Sequence, residues 1–259
     1  MFRWLQKKRR RQLTAADFPQ RWSQFLEENM WAYRQLSKSQ RSRIHDSVQV
    51  LVAEKNWEGC DGLKVSDEMC VTIAGQAGLL VLGHSGFYFD RLKTILIFPD
   101  TIIGRNMAHE DGTVQQDQAI FGAAWRAGVV SLSWQHVLAS GRHAADGHNV
   151  VLHEFAHVLD GIDGEMGGSP PFGDRDLEQR WATVSRRETD RLHTASLKGE
   201  RTFLDHYGGS NESEFFAVAS ESFFERPGGL GANHPEVFEL LRELYKVDPR
   251  DWGAEPGRL

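Results

Sequence analysis

The stretch NVVLHEFAHVLDG, residues 149–161, sets two histidines and a glutamate within an otherwise apolar run. It contains no glycine or proline before Gly161, which stands where a helix can end. The pattern predicts a helix of about three turns. His153 and His157 are four residues apart, so on a helix their rings emerge on one face. Ionisable groups among apolar neighbours are unfavourable unless they are paired or bind a metal, so this run predicts a site.

The spacing H-E-x-x-H predicts a zinc centre. Two neutral imidazoles one helical turn apart bind a single zinc ion at about 2.0–2.1 Å, while Glu154 is held off the metal yet close to its water. Zinc lowers the pKa of that water toward about 7, and Glu154 can take its proton as the oxygen attacks a carbonyl. The motif therefore predicts hydrolysis of an amide bond.

Three kinds of residue compete for the third zinc ligand. Asp163 stands where one class of zincin has a histidine, but the glycine of that class is missing here. The other candidates are four later glutamates and three histidines: Glu212, Glu214, Glu221, Glu225, His143, His148 and His206. The apolar neighbours of Glu214 favour it, although Asn211 three residues earlier also fits a capping box, in which the carboxylate would bind a backbone N–H. Local geometry leaves the choice open.

HEFAHVLD, followed after a loop and a helix by Y…NESEFFAVASESFF, resembles the Mlc titration factor A (MtfA) family of bacterial zinc peptidases, which are related to the catalytic domain of lethal-factor-type toxins. The upstream runs LIFPDTII and VVSLSW also fit, so the resemblance covers residues from about 63 to 248. It implies a zincin-like metalloprotease fold. It also implies that His153, His157 and Glu214 bind zinc and that Glu154 is the general base.

The same resemblance implies further roles. Tyr207 would face the metal, where a phenol hydroxyl can donate a hydrogen bond to the developing oxyanion. The expected activity is that of an aminopeptidase on short peptides. The family's namesake sequesters the repressor Mlc, so the alternative function is that of a non-catalytic regulatory protein that binds such a repressor. Asp160, one turn after His157, either orients a ligand histidine or ends the helix.

The rest of the chain predicts an α+β fold, mostly helical, with a small mixed sheet. Strands are expected at 94–99 and 128–134, and Gly/Pro-rich residues 161–175 form a long loop. Helices are predicted by amphipathic or capped patterns at 17–36, 37–55, 66–77, 177–196, 212–225 and 235–247. We expect one peptidase domain over 13–259, with a helical part at about 13–85 packed on a catalytic part at about 86–250.

Charge and composition narrow the function classes. A net charge of −6 and a pI near 6.0 argue against direct binding of nucleic acid. The two cysteines fit neither a disulfide framework nor a zinc knuckle, and no run approaches the roughly 18 apolar residues of a membrane span. A cytoplasmic protein is expected. Residues 1–12 carry a basic cluster, Lys7 to Arg11, that could contact anionic lipid or an acidic partner but is more typical of a solvated tail. We do not find this segment in the family's pattern.

Overall fold

The computed structural model describes residues 2–100, 128–143, 147–164 and 166–252, without the side chains of residues 2, 3 and 163. Helices dominate, and three short strands lie among them. The helices are α1 (Phe2–Thr14), α2 (Gln20–Asn29), α3 (Trp31–Gln35), α4 (Lys38–Glu54), α5 (Asp67–Leu79), α6 (Trp134–Arg142), α7 (Val150–Asp160), α8 (Arg175–Lys198), α9 (Glu212–Glu225), α10 (Pro227–Asn233) and α11 (Pro235–Tyr245). Short 3-10 helices occupy Gly161–Asp163, His206–Gly209 and Pro249–Trp252.

The described strands form one parallel sheet in the order β1 (Asn56–Gly59), β2 (Thr94–Phe98), β3 (Val129–Ser133). Ile95 pairs with Val130, and Ile97 pairs with Leu132, which sets apolar side chains side by side in the core. The predicted mixed sheet is therefore wrong for these three strands. β1 was not predicted, because its four residues, NWEG, lack an alternation of apolar and polar side chains.

Most predicted helices form, and capping explains where several begin. Ser37 and Gln40 make both halves of a capping box at the start of α4, and the Ser66 side chain accepts the N–H of Met69 at the start of α5. The segment predicted as one helix over 17–36 is divided at Met30, whose extended backbone (φ −137°, ψ 96°) separates α2 from α3. α11 begins with Pro235 in its first turn, as predicted.

The core surrounds α5, in which every residue from Met69 to Leu79 is buried. α4 packs on one side of α5, and α7 packs on another. α7 also packs along α9, whose buried residues include Phe215, Phe216 and Phe223. These contacts hold α7 and α9 side by side in the interior, where close packing resists small displacements of either helix.

The basic N-terminal segment is not a solvated tail. Residues 2–14 form α1, which packs on α4. Arg10 is buried, and its guanidinium donates hydrogen bonds to Glu54 (2.6 and 3.0 Å) and to Asp90 (2.5 Å). The sequence concealed this because the partners of Arg10 lie 44 and 80 residues further along the chain. Among the helices described, none is long and apolar enough to cross a bilayer.

Candidate metal centre

Two asparagines position the helices that carry the predicted ligands. Asn149 caps α7, and its Oδ1 accepts the N–H groups of Val151 and Leu152 at 3.1 and 3.0 Å. Asn211 caps α9 in the same manner, accepting the N–H of Glu214 at 3.0 Å. The first turns of both helices are thereby fixed, and the motif side chains project from these ordered segments.

His153, His157 and Glu214 come together between the two helices. The Nε2 atoms of the histidines are 3.3 Å apart, and Glu214 Oε2 lies 3.1 Å from His153 Nε2 and 3.3 Å from His157 Nε2. All three side chains are largely buried, at 16%, 9% and 14% exposure. The Glu214 carboxylate is thus turned to the imidazoles, so only the asparagine half of the possible capping box is formed. Within the described residues, these three form the one cluster of His, Cys, Asp or Glu suited to a metal ion.

A carboxylate fixes the tautomer of His153. Its Nδ1 lies 2.8 Å from Glu221 Oε1, and Glu221 Oε2 accepts the backbone N–H of Asn149 at 2.5 Å. Because an ionised carboxylate only accepts hydrogen bonds, Nδ1 carries a hydrogen, and Nε2 is the ring nitrogen left to face a metal. This is the carboxylate–histidine arrangement that orients imidazole ligands in metal sites.

The Ser213 hydroxyl and the Asp160 carboxylate place a hydrogen on Nδ1 of His157, as Glu221 does for His153. The Ser213 hydroxyl donates to Asp160 Oδ2 at 2.8 Å, which leaves its oxygen to accept from His157 Nδ1–H at 3.1 Å. Asp160 Oδ2 also accepts the N–H of Gly168 at 2.9 Å, which ties residues 161–175 to this network. Asp160 is therefore linked to His157 through Ser213, and its carboxylate also binds the backbone of the loop at Gly168.

Burial and charge shift the pKa values of the cluster in opposite directions. Burial lowers the pKa of His153, but the carboxylates of Glu221 and Glu214 outweigh burial and raise this pKa well above its usual value. Burial would raise the pKa of Glu214, but its bonds to His153 and His157 hold it well below the usual range. A cation placed between these groups would take over the role of the proton.

Glu154 lies on the flank of α7 beside the cluster and is half-buried. Burial raises the pKa of its carboxyl, while the neighbouring histidines oppose that shift. No hydrogen bond from the described part of the chain engages this carboxylate. A carboxylate with a raised pKa and free oxygens is suited to accept a proton from a nearby water.

Tyr207 lies in the 3-10 helix His206–Gly209, just before α9. Its ring centroid is 6.0 Å from that of His153, and the residue is 50% exposed. The Asp205 carboxylate accepts the N–H of Tyr207 at 2.8 Å, which fixes the backbone at this position. The tyrosine thus stands at the mouth of the cluster, with one edge toward solvent.

The other candidate ligands lie elsewhere. His143 is exposed, and His148 lies 3.7 Å from Asp205. His206 and two of the glutamates are not part of the cluster: Glu212 accepts a hydrogen bond from Arg186, and Glu225 accepts one from the Asn149 side chain. The Asp163 side chain lies outside the described residues. Sequence reasoning missed the positioning contacts of Ser213 and Asn149, although Ser213 directly precedes Glu214 and Asn149 is a residue type that favours a helix start.

Comparison with known proteins agrees with the motif. The model of the family described as glucose-regulated metallo-peptidase M90 matches residues 4–246. An uncharacterized protein of Synechocystis sp. is 36% identical over 244 residues, which are 93% of this chain and 89% of that protein. Mlc titration factor A of Yersinia pestis and that of Yersinia pseudotuberculosis are each 28% identical over 255 residues, 96% of this chain and 91% of the relative. The family match begins at residue 4, so it includes most of the basic segment that we did not find in the family's pattern.

Proposed function

Because the chain belongs to the family of glucose-regulated metallo-peptidases M90, we propose that it is a zinc-dependent metallopeptidase with a zincin-like fold. His153, His157 and Glu214 hold the ion. The observation that carries this proposal is the triangle formed by two imidazole nitrogens and one carboxylate oxygen, with sides of 3.1, 3.3 and 3.3 Å. In a tetrahedral site with bonds of about 2.0–2.1 Å, two donors are separated by about 3.3–3.4 Å. The donor set therefore fits zinc in size and in chemistry.

The number of protein ligands supports catalysis over a purely structural role. Structural zinc sites have four protein ligands, whereas catalytic sites have three and leave one position for water or substrate. Among the described residues, three donors converge here, and Tyr207 beside them is half-exposed. Zinc bound at this position would supply a Lewis acid that polarises a carbonyl and acidifies water.

Glu154 is the general base in this proposal. It follows His153 directly on α7, and its carboxylate is not engaged by the described residues. It accepts the proton of the attacking water and then donates that proton to the leaving amine, so one carboxyl serves both halves of the reaction.

Tyr207 stabilises the oxyanion in this proposal. Its ring centroid is 6.0 Å from that of His153, so its phenol belongs to the immediate surroundings of the cluster. A hydroxyl that donates to the oxyanion contributes only as the tetrahedral intermediate forms, and removal of one such donor costs about 2.7–4 kcal/mol of activation free energy.

The substrate class proposed is peptides, with aminopeptidase action on short peptides as the resemblance implies. We further propose that residues 13–259 act as one peptidase domain in the cytoplasm. A second function is supported by the relatives from Yersinia, which are named Mlc titration factor A. Binding of an Mlc-type transcriptional repressor is compatible with peptidase activity. If the protein has no peptidase activity, the alternative is a non-catalytic regulatory protein that binds such a repressor.

The variant Glu154→Gln tests the catalytic proposal. It keeps the size of the side chain and leaves the three donors intact, so zinc content should remain at one ion per chain while hydrolysis of a short-peptide library falls to background. Glu212→Gln is the matched control, because Glu212 pairs with the exposed Arg186 and does not contact the donors. Wild-type rates in Glu154→Gln would refute the role of Glu154.

Metal analysis of Glu214→Ala tests the ligand set separately. Loss of the carboxylate removes one of three ligands, so the purified variant should retain little zinc. Unchanged zinc in this variant would remove Glu214 from the site. A wild-type protein that holds stoichiometric zinc and cleaves no peptide of the library would instead favour the regulatory function.

A further inference from the structure

Helix α1 presents a face that combines exposed apolar and basic side chains. Trp4 is 65% exposed and Leu5 is 51% exposed, two of the four large hydrophobic residues that are exposed in the described part of the chain. Lys7, Lys8 and Arg11 are also exposed on this helix. Positions 4, 8 and 11 follow one stripe at helical spacing, and Lys8 Nζ lies 5.7 Å from the centroid of the Trp4 ring. We call these five residues the cationic face.

The opposite side of α1 is anchored to the body of the protein. Arg10 donates to Glu54 and Asp90, and its guanidinium lies 4.9 Å from the centroid of the Tyr88 ring. The Arg9 side chain donates to the carbonyl of Ala53 at 3.3 Å, so it also contacts α4. These contacts fix the rotation of α1 about its axis. The five side chains of the cationic face are therefore directed away from α4, and the described residues leave them exposed.

The distribution of charge separates α1 from the remainder. Residues 1–12 contain six of the 30 lysines and arginines and none of the 36 acidic residues. Subtraction leaves 24 basic and 36 acidic residues in 13–259, a net charge of −12 against +6 for the first twelve. Such a charged surface attracts an anionic partner to α1 and repels that partner from the rest of the molecule, so it also sets the orientation of binding.

From these observations we propose that the cationic face docks on an anionic lipid surface. An interfacial helix has apolar side chains that enter the headgroup region and lysines or arginines that contact lipid phosphates. Tryptophan favours that boundary, because its ring is apolar while its N–H remains hydrogen-bonded. A nucleic acid would use the cations but gains little from Leu5, and adjacent exposure of Trp4 and Leu5 therefore favours the lipid surface.

Docking in this manner would hold the proposed active site near a membrane without a membrane span. It is independent of zinc and of peptidase activity, since no residue of the cationic face belongs to the metal cluster. The Arg10 anchor transmits the attachment to α4, which is part of the packed core. The protein would then be a peripheral membrane protein whose binding depends on salt.

Sedimentation with lipid vesicles tests the proposal on the full chain. We expect binding to phosphatidylcholine vesicles that contain about one-third phosphatidylglycerol at about 0.1 M salt, and release at about 1 M salt, where screening is strong. Pure phosphatidylcholine should bind far less. Trp4→Ala with Leu5→Ala should weaken binding at least about tenfold, from the apolar area removed. Lys7→Glu with Lys8→Glu should weaken it by more than about a hundredfold, from the charge reversed.

Matched variants separate the effect of the cationic face from that of net charge or of an exposed apolar side chain elsewhere on the protein. Lys38→Glu with Lys64→Glu makes the same change in net charge at exposed sites off α1, and Leu197→Ala removes an isolated leucine that is 77% exposed. Both should change binding less than about threefold. All substituted side chains are exposed, and circular dichroism would verify that each variant is folded. Absence of binding to anionic vesicles, or equal binding by the Trp4/Leu5 variant, would overturn the proposal. Capture of a DNA duplex instead of vesicles would also overturn it and would assign the face to nucleic acid.

Discussion

Replacement of Glu221 by glutamine tests whether a residue that never touches the metal sets the metal affinity. Glu221 is 5% exposed, and both of its oxygens accept hydrogen bonds, one from His153 Nδ1 at 2.8 Å and one from the N–H of Asn149 at 2.5 Å. Glutamine keeps the shape but has only one oxygen. Its NH2 group must therefore face one of two donors.

Both arrangements of the glutamine amide are unfavourable. If NH2 faces Asn149, two N–H groups oppose each other and a buried backbone donor loses its partner, which costs about 1–3 kcal/mol of stability. If NH2 faces His153, the ring must accept at Nδ1 and carry its hydrogen on Nε2, which blocks the lone pair needed by the metal. Loss of such an outer partner lowers metal affinity about 10- to 100-fold, equivalent to about 1.4–2.7 kcal/mol.

Competition with a chromophoric chelator would measure the zinc Kd, and urea denaturation of the metal-free protein would measure the stability change separately. Glu225→Gln is the control, because Glu225 lies one turn further along α9 and accepts from the Asn149 side chain without contacting either histidine. A zinc Kd of Glu221→Gln within about twofold of wild type would refute the positioning role. An equal loss in both variants would mean that Asn149, not the orientation of His153, controls affinity.

Two further predictions concern the surroundings of the site. Gly168→Ala should lower stability and zinc affinity, because φ is +73° and a Cβ would lie 2.2 Å from backbone atoms of Glu212 at the start of α9. Gly173→Ala is the control for backbone strain alone, because its φ is +72° and no atom lies within 4 Å of its Cβ. Equal effects of the two variants in denaturation and in zinc titration would contradict the prediction. Glu188→Gln should lower stability at about pH 7 by about 2 kcal/mol and flatten the loss of stability in acid, as measured by urea denaturation across pH. Hydrogen bonds from His234 and Arg187 lower the pKa of Glu188 to about 2. The carboxylate therefore stabilises the fold above about pH 4.5, and that contribution disappears as the pH falls toward 2. Parallel curves of stability against pH for wild type and variant would contradict this prediction.

The parts of the fold that were predictable are those that local chemistry specifies. α9 begins and ends as expected, because Asn211 caps it and its apolar residues continue without interruption to Glu225. α7 was predictable for the same reason. By contrast, α6 begins at Trp134 directly after β3, within a run that read as strand through Trp134, because Ser133 caps a helix there by accepting the N–H of His136. Periodicity alone cannot separate a strand end from a helix start over two residues.

The metal cluster was predictable in part. The i, i+4 spacing fixes His153 and His157 by itself, whereas the choice of Glu214 over Glu221 depends on the position of α9 along the axis of α7. Seven residues separate the two glutamates, so both lie on the face that meets α7. Packing decides that Glu214 reaches Nε2 and Glu221 reaches Nδ1 of the same ring. The sequence identified both carboxylates and could not assign which nitrogen each would contact.

The arrangement of hydrogens explains why the fold and the metal are coupled. Glu221 and Ser213 each hold an Nδ1–H, so both Nε2 lone pairs point at each other and at the Glu214 carboxylate, 3.1–3.3 Å apart. Three lone pairs at such distances repel one another unless a cation or a proton lies between them. Without a metal, the raised pKa of His153 keeps such a proton between its Nε2 and the Glu214 carboxylate. A divalent ion bound here would replace that proton, and its binding energy would add to the stability of the native state, because the unfolded chain does not hold the three donors together.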